Sequence, residues 1–528
     1  MSTFPRILNT RNLVMSGLIG SLLVGCGGGS GMDSGSSAAS QAPASTTTTV
    51  QAAASNAGST EGGLVSPSAT ALATGATCPS TANWGNFDRP FTADSPWNSR
   101  PVKPTFGTAV VPKALYSALI ENRTYSTAAF KATSTDGPMT VYGATTKGIW
   151  DPDAEIYNTS ITIPRWPQGV VPATGGDGHA EIVDTVSGMV HSFYQLKQVD
   201  GVWQAQQYAW TALNGRGFGD PGRYFQGARS AGVSTLGGLI RKHEVGTADS
   251  MYRHALAMSL DSTGLSKEPT YVFPATGSDW DAATVNTGVF PIGSLMMLPP
   301  DFDTQRLATP EIRKIAETLK NYGAYVVDRN SGTPFVIYME IGSSYNNGWT
   351  SPSANDLELI RQSLRKVEST ESWIDGDGKP FAAFDKNLNL LSMRGAWYRV
   401  KGTQSGTFDG VQQAVAFPPT TTEIQMSNTG GRAYAGVTWA KPKVGALYRL
   451  SAITTGGGKF RMTVKDRITG NLVYDSGTLN NGWSVDFAWP IDNFVISTYV
   501  TSGITGQAST VKAHLAALPS TVPPSCIQ

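Results

Sequence analysis

Asp177-Gly178-His179-Ala180-Glu181-Ile182-Val183-Asp184-Thr185-Val186-Ser187-Gly188-Met189-Val190-His191-Ser192-Phe193-Tyr194 reads as a β-hairpin. Asp177, His179, Glu181 and Val183 fall on one face at a spacing of two, and Ala180 and Ile182 on the other. That alternation belongs to a strand and not to a helix. Residues 184–188 supply turn chemistry, and a second strand is expected over 189–196. A third strand of the same meander follows at 204–211, beside Trp203, Tyr208 and Trp210.

Outward from this hairpin the chain keeps a β character. Residues 214–238 form a Gly-rich loop carrying Arg216, Arg223, Tyr224, Phe225 and Arg229, long enough to be functional inside a compact domain. Strand pattern is expected to resume at Leu239, to include 253–258, and to continue at 271–273. Helices are few. Thr309 is placed to cap one that starts at Pro310, with Ile312, Ile315, Leu319 and Tyr322 on its apolar side and Gly323 ending it. Ser353 and Asp356 resemble a capping box for a second, with Leu357, Ile360, Leu364 and Val367 at helical spacing. Strands at 324–328 and 335–341 lie between them, and a short helix is expected at 113–121. Residues 86–98 read as an extended, Pro-rich wrap along a sheet edge.

After about Ala382, short alternating runs at 397–401, 436–441, 446–452, 459–465, 472–475, 484–489 and 494–500 carry the signature of a β-sandwich. The fold class expected is mainly β: a β-sheet or jelly-roll-like N-terminal domain with a few peripheral helices, then a C-terminal β-sandwich. No tandem repeat of fixed period is present.

The chain has 528 residues, of which 15% are charged, with a formal net charge of +1. This balance removes the electrostatic case for nucleic acid or for a basic membrane-binding surface. No Gly-x-Ser-x-Gly, His-Glu-x-x-His, Walker or Rossmann pattern occurs in its proper context, which disfavours serine hydrolase, zincin and nucleotide-binding chemistry. Arg6 and Arg11 precede an apolar run at 13–24 that is too short to span a bilayer as a stable helix. It ends Leu23-Val24-Gly25-Cys26, which resembles the lipobox of bacterial lipoproteins. The resemblance implies that residues 1–26 are a lipoprotein signal and that Cys26 is acylated. It further implies delivery to the outer membrane, since Gly27 and not Asp follows, with the protein facing the periplasm or the cell surface. Contact with the membrane would be through the lipid alone. Residues 27–77, nearly all Gly, Ser, Ala, Thr and Gln, read as a disordered tether with a reach of roughly 40 Å. In that oxidising compartment the two remaining cysteines, Cys78 and Cys526, are expected to pair across the folded region. Residues 78–385 form the β-rich candidate catalytic domain, and 386–528 the sandwich, a candidate carbohydrate-binding module.

His179, His191, His243 and His254, four of the five histidines, lie in residues 175–256. Asp177, His179 and Glu181 at period two suit a metal site or an acid/base pair. His254 gains weight from Arg241 and Glu244. Arg216, Arg223 and Tyr224 in the Gly-rich loop suit recognition of a carboxylate or sulfate, and Tyr194 follows the hairpin. Ser95-Pro96-Trp97-Asn98, Asp177-Gly178, Ser234-Thr235-Leu236-Gly237-Gly238-Leu239-Ile240-Arg241, Glu244 and His254-Ala255-Leu256 resemble the pattern of a broad group of secreted bacterial β-rich proteins, over residues 87–328. That resemblance implies one β-rich domain and singles out Arg241, Glu244 and His254 without supplying a reaction.

The function expected is binding, and cleavage, of a polysaccharide by a lipid-anchored extracytoplasmic protein. The catalytic candidates are His179, Glu181, Glu244 and His254, and the substrate-binding candidates Asp177, Tyr194, Arg216, Arg223, Tyr224 and Arg241. In a lyase an Arg neutralises a uronate, a His takes the proton and a Tyr protonates the leaving oxygen. In a hydrolase two carboxylates among Asp177, Glu181 and Glu244 do the work. The residues favour the lyase, being richer in His, Arg and Tyr than in isolated acid pairs. A non-catalytic glycan-binding or adhesin lipoprotein is the alternative. The sequence requires no cofactor, and a divalent metal is compatible with it.

Overall fold

The computed structural model describes residues 83–152, 156–220, 225–345, 351–391, 393, 397–410, 412–428 and 437–518. Cys26, Cys78, Cys526, Arg223 and Tyr224 lie outside these residues. The described chain is mainly β, with few helices and several facing sheets.

The hairpin lies at the centre of a six-stranded sheet. Ala180–Asp184 pairs antiparallel with Met189–Tyr194, which pairs with Gln207–Ala212, while Ala129–Ala132 adds in parallel beyond the first strand. Ala180, Ile182, Phe193 and Tyr208 face a four-stranded sheet through Val141, Ile163 and Trp203. Val183 and Val190, from the other face, pack with Leu213 and Leu236. Every residue of Ala180–Asp184 is therefore buried. The expected strand face running from Asp177 through Val183 is corrected in one respect. Asp177 and His179 precede the strand, because Gly178 turns the backbone at φ +48°, a conformation that glycine adopts readily. The expected third strand is two, Val202–Ala205 in the smaller sheet and Gln207–Ala212 in the larger.

A seven-stranded mixed sheet holds the largest core. Leu256–Asp261 and Ala324–Asn330 run parallel at its centre. Such a connection needs a crossover, and helix Pro310–Asn321 lies within it, burying Ile312, Ile315 and Leu319. Helix Ser351–Ser363 adds Leu357 and Ile360 to the same core. Asp356 caps the neighbouring turn and not its own helix, accepting from the N–H groups of Ala308 and Thr309 at 2.9 and 2.7 Å.

Three further expectations are corrected. Residues 113–121 form no helix: Leu119–Glu121 is an edge strand parallel to Phe335–Tyr338, since backbone pairing outweighs a weak helical periodicity. Leu239 starts no strand, because positive-φ Gly238 bends the chain and leaves one bridge from Ile240 to Met339. Of residues 436–441, the described ones form a turn.

Two five-stranded antiparallel sheets make the C-terminal sandwich. Met426, Phe460, Met462 and Val500 from one sheet meet Val415, Leu450, Val511 and Leu515 from the other. It meets the rest at a seam where Trp439 Nε1 donates to the Ala275 carbonyl at 2.8 Å and its ring stands edge-on to Phe273 at 5.0 Å. Among the described residues no helix is long and apolar enough to cross a membrane.

Candidate functional site

The Leu236-Gly237-Gly238-Leu239 run lies over Trp97. A Cβ on Gly237 would come within 2.6 Å of the Trp97 ring, and one on Gly238 within 2.5 Å of the same ring and of the Ala257 nitrogen. Trp97 is itself fixed, stacked on Phe218 at 5.0 Å and edge-on to Tyr325 at 5.5 Å, with its carbonyl accepting from Ala255 N–H at 2.7 Å. Both glycines are thus required by close approach. The packing carries the chain to Arg241 beside the start of strand Leu256–Asp261, where His254 lies.

Arg241 is buried. Its Nε donates to Glu340 at 3.0 Å and its Nη1 to the Phe87 carbonyl at 2.7 Å, and its guanidinium covers the Phe87 ring at 4.6 Å. The single turn Lys242–Glu244 then brings Glu244 back onto Arg241 N–H at 2.8 Å. The same Glu244 oxygen, Oε2, meets His254 Nε2 at 3.2 Å, while His254 Nδ1 faces the Ala255 carbonyl at 2.9 Å. A carbonyl only accepts, so Nδ1 carries a hydrogen, and the carboxylate calls for a second on Nε2. Burial opposes charge on both groups. The Glu244 charge and hydrogen bond nonetheless raise His254, and His254 with Arg241 N–H holds Glu244 at about 2. The pair is imidazolium and carboxylate.

This ion pair lies in the wall of a cavity of about 530 Å³, which also takes in Trp84, Arg89, Asp249, Tyr252, Arg253 and Lys314. Lys314 Nζ reaches the Glu244 carbonyl at 2.9 Å and lies 4.6 Å from the Tyr252 ring centre. Lys314 and Tyr252 were not singled out in the sequence. Lys314 is on a helix 70 residues from Glu244, and no local pattern links them.

The other expected site residues fall elsewhere. Glu181 is completely buried and accepts from Ser192 Oγ at 2.6 Å, Thr235 N–H at 2.7 Å and Thr235 Oγ at 2.5 Å. Burial raises it against those hydrogen bonds. This arrangement fixes the segment ahead of the glycines to the sheet. His179, also buried, gives Nδ1–H to the Phe193 carbonyl at 3.2 Å, and burial, aided by the Arg229 charge, lowers it to about 4. It is neutral, with its lone pair on Nε2. The Tyr194 ring centre lies 5.8 Å from it. Asp177 is half-buried and raised by burial, with Arg229 acting in the opposite sense. Arg216 serves neither group: it donates to the Asp385 carbonyl at 3.0 Å. His191, buried, bonds Tyr208 Oη at 2.8 Å. Thus Arg241, Glu244 and His254 come together at the cavity, Asp177, His179 and Tyr194 form a second group, and Glu181 is a buried acceptor. Among the described residues no three His, Cys, Asp or Glu side chains are placed to hold a metal.

No family model matches the chain, and no curated protein does. Solved structures give partial likenesses. The enzymatically active domain of bacteriophage CBA120 tailspike protein 4 matches at 12% identity and TM-score 0.18, over 23% of this chain and 19% of that one. TmCBM61, solved with β-1,4-galactotriose, matches at 13% identity and TM-score 0.16, over 23% of this chain and 88% of that one. The CBM22-1 xylan-binding domain of Paenibacillus barcinonensis Xyn10C matches at 9% identity and TM-score 0.15, over 24% and 88%.

Proposed function

We propose that the protein is a lipid-anchored extracytoplasmic glycan-binding protein whose cavity at Arg241, Glu244 and His254 takes a segment of an acidic polysaccharide. One observation carries this reading: the charge of the cavity wall. Arg241 is matched by Glu340 and His254 by Glu244, which leaves Arg89, Arg253 and Lys314 facing Asp88 and Asp249. The Trp84 and Tyr252 rings lie behind these cations, 9% and 4% exposed, with Arg89 over one and Lys314 over the other. An excess of cations suits a chain of uronate units better than a neutral one.

The test is calorimetry of the purified protein against polygalacturonate, alginate and a neutral galactan. Binding to the acidic chains that weakens as salt rises is the expected result. Equal binding to galactan, or none to any of the three, overturns it.

Cleavage is a second reading, favoured by His179. His254 commits both ring nitrogens to acceptors and has no lone pair with which to take a proton, whereas neutral His179 keeps one on Nε2. Elimination there would require the glycan chain to reach His179 Nε2, although His179 and Arg229 are 2% and 3% exposed. An unsaturated product absorbing in the near ultraviolet supports that reading, new reducing ends without such absorbance point to hydrolysis, and an unshortened chain removes both.

A further inference from the structure

We infer that residues 245–253 form a movable wall of the cavity, clasped at its base by the Glu244–His254 contact and released when His254 gives up its second ring proton. The two residues stand ten positions apart along the chain and 3.2 Å apart in space. Their contact closes the segment between them into a loop of the Ω type. Thr247, Asp249, Met251, Tyr252 and Arg253 of that loop all line the cavity. Gly246 turns it at φ +79°, and residues 246–250 are exposed. Its other fastenings come from the helix Pro310–Asn321. Lys314 Nζ donates to the Glu244 carbonyl at 2.9 Å and to Thr247 Oγ at 2.7 Å, and Tyr252 N–H donates to Thr318 Oγ at 2.8 Å.

Only one form of the His254 ring makes both of its contacts. Nδ1 faces the Ala255 carbonyl and Nε2 the Glu244 carboxylate, and neither partner has a hydrogen to give. A neutral ring has a single N–H, so either tautomer sets a lone pair against an acceptor at its other end. Losing the proton therefore breaks one of the two contacts and leaves the Glu244 charge in the cavity wall without its imidazolium. Glu244, held at about 2, stays ionised throughout. The other charges near the pair are Arg241 and His243 on the turn, Lys314 on the helix, and Asp249 and Arg253 on the loop. Asp88 and Arg89 line the cavity from the segment before Pro90, and the Tyr252 ring centre lies 6.3 Å from His254. Arg241 keeps Glu340 as its partner in either state. Burial opposes the His254 charge, and the Glu244 charge and hydrogen bond outweigh it and raise His254. The clasp is thus whole below about pH 6.5 and is released as pH rises through the folded value. An acidic glycan then meets one more negative charge and an unfastened loop, so it binds the clasped form better and, by reciprocity, holds the proton on His254. That last step rests on the function proposed above.

The test follows the His254 ring nitrogens and the Gly246 and Thr247 amides of ¹⁵N-labelled full-length protein from about pH 6 to about pH 10. The loop amides are expected to shift with the midpoint of the ring. Polygalacturonate affinity, measured by calorimetry on either side of that midpoint, is expected to fall about fivefold or more on the alkaline side. His254→Gln offers Glu244 an N–H that no pH change removes, and is expected to abolish both the amide shift and the step in affinity. If that variant fails to fold, the titrations of the parent protein decide alone. Polygalacturonate that binds at no pH removes the proposed function only, since the loop amides still report the clasp. Loop amides that do not follow the ring, a ring still doubly protonated at about pH 10, equal affinity on both sides of the midpoint, or a step that persists in full in His254→Gln overturns the inference.

Discussion

His254 and His179 show how far neighbours decide what an imidazole can do. His254 gives a hydrogen to an acceptor at each ring nitrogen and is raised, and Glu244 opposite it is held at about 2. Since the folded His254 value lies above the unfolded one, its contribution to stability is complete below about pH 6.5 and is lost as pH rises through the folded value. Glu244 has the opposite sign: its contribution is complete above about pH 4.5 and lost as pH falls toward 2. His254→Gln is therefore expected to remove the alkaline decline in urea-unfolding free energy, and an unchanged decline would refute the pairing. His179 and His191, both at about 4 through burial, behave differently again. The unfolded chain binds protons first as pH falls below about 6.5, so each costs roughly 3 kcal/mol of stability by pH 4. His191→Gln should weaken the acid sensitivity, and a pH profile superimposable on that of the parent protein would contradict this. The sequence placed four histidines in one stretch but could not separate these roles. The deciding partners, Ala255 carbonyl, Phe193 carbonyl and Arg229, depend on the turn at Gly178 and on contacts far along the chain.

At the scale of elements, one buried carboxylate and two glycines hold the segment that carries Arg241. Glu181→Ala leaves the Ser192 hydroxyl and both Thr235 donors without their acceptor. It should cost roughly 3 kcal/mol in urea unfolding, whereas a residue acting only in catalysis would change turnover and not stability. Gly238→Ala meets the Trp97 ring and the Ala257 nitrogen at φ +67°, and should cost roughly 2–4 kcal/mol by the same measurement. A loss under 1 kcal/mol would show that the segment relaxes with little cost. The hairpin was legible because period two with a Ser-Gly turn has few alternatives. What misled was the polar character of Glu181: in a half-exposed strand that position would face water, but this strand is covered on both sides. The expected helix at 113–121 failed for a related reason, since the parallel partner Phe335–Tyr338 lies more than 200 residues away.

At the scale of the whole molecule, two large cores meet along a seam that includes Leu388, Val437, Thr438 and Trp439. Trp439 supplies a hydrogen bond and an edge-on ring contact there, and Thr438 Oγ donates to the Tyr271 carbonyl at 2.9 Å. Trp439→Ala should remove roughly 2–4 kcal/mol from that seam. The sandwich and the larger core would then unfold as two separate calorimetric transitions, and a single unchanged transition would show that the seam is held elsewhere. The β-rich class and the sandwich could be read from short alternating runs and turn residues. The mixed seven-stranded sheet could not, because its central parallel pair is joined through a helix whose own periodicity says nothing of which strands it connects. The cavity is a product of that assembly, bringing Trp84, Glu244, His254 and Lys314 together from three distant parts of the chain. The most direct test is a crystal of the protein soaked with trigalacturonate. Density for the sugar is expected in the cavity beside Arg253, Lys314 and the Glu244–His254 pair, and an empty cavity with sugar bound only on the sandwich would contradict the proposed function.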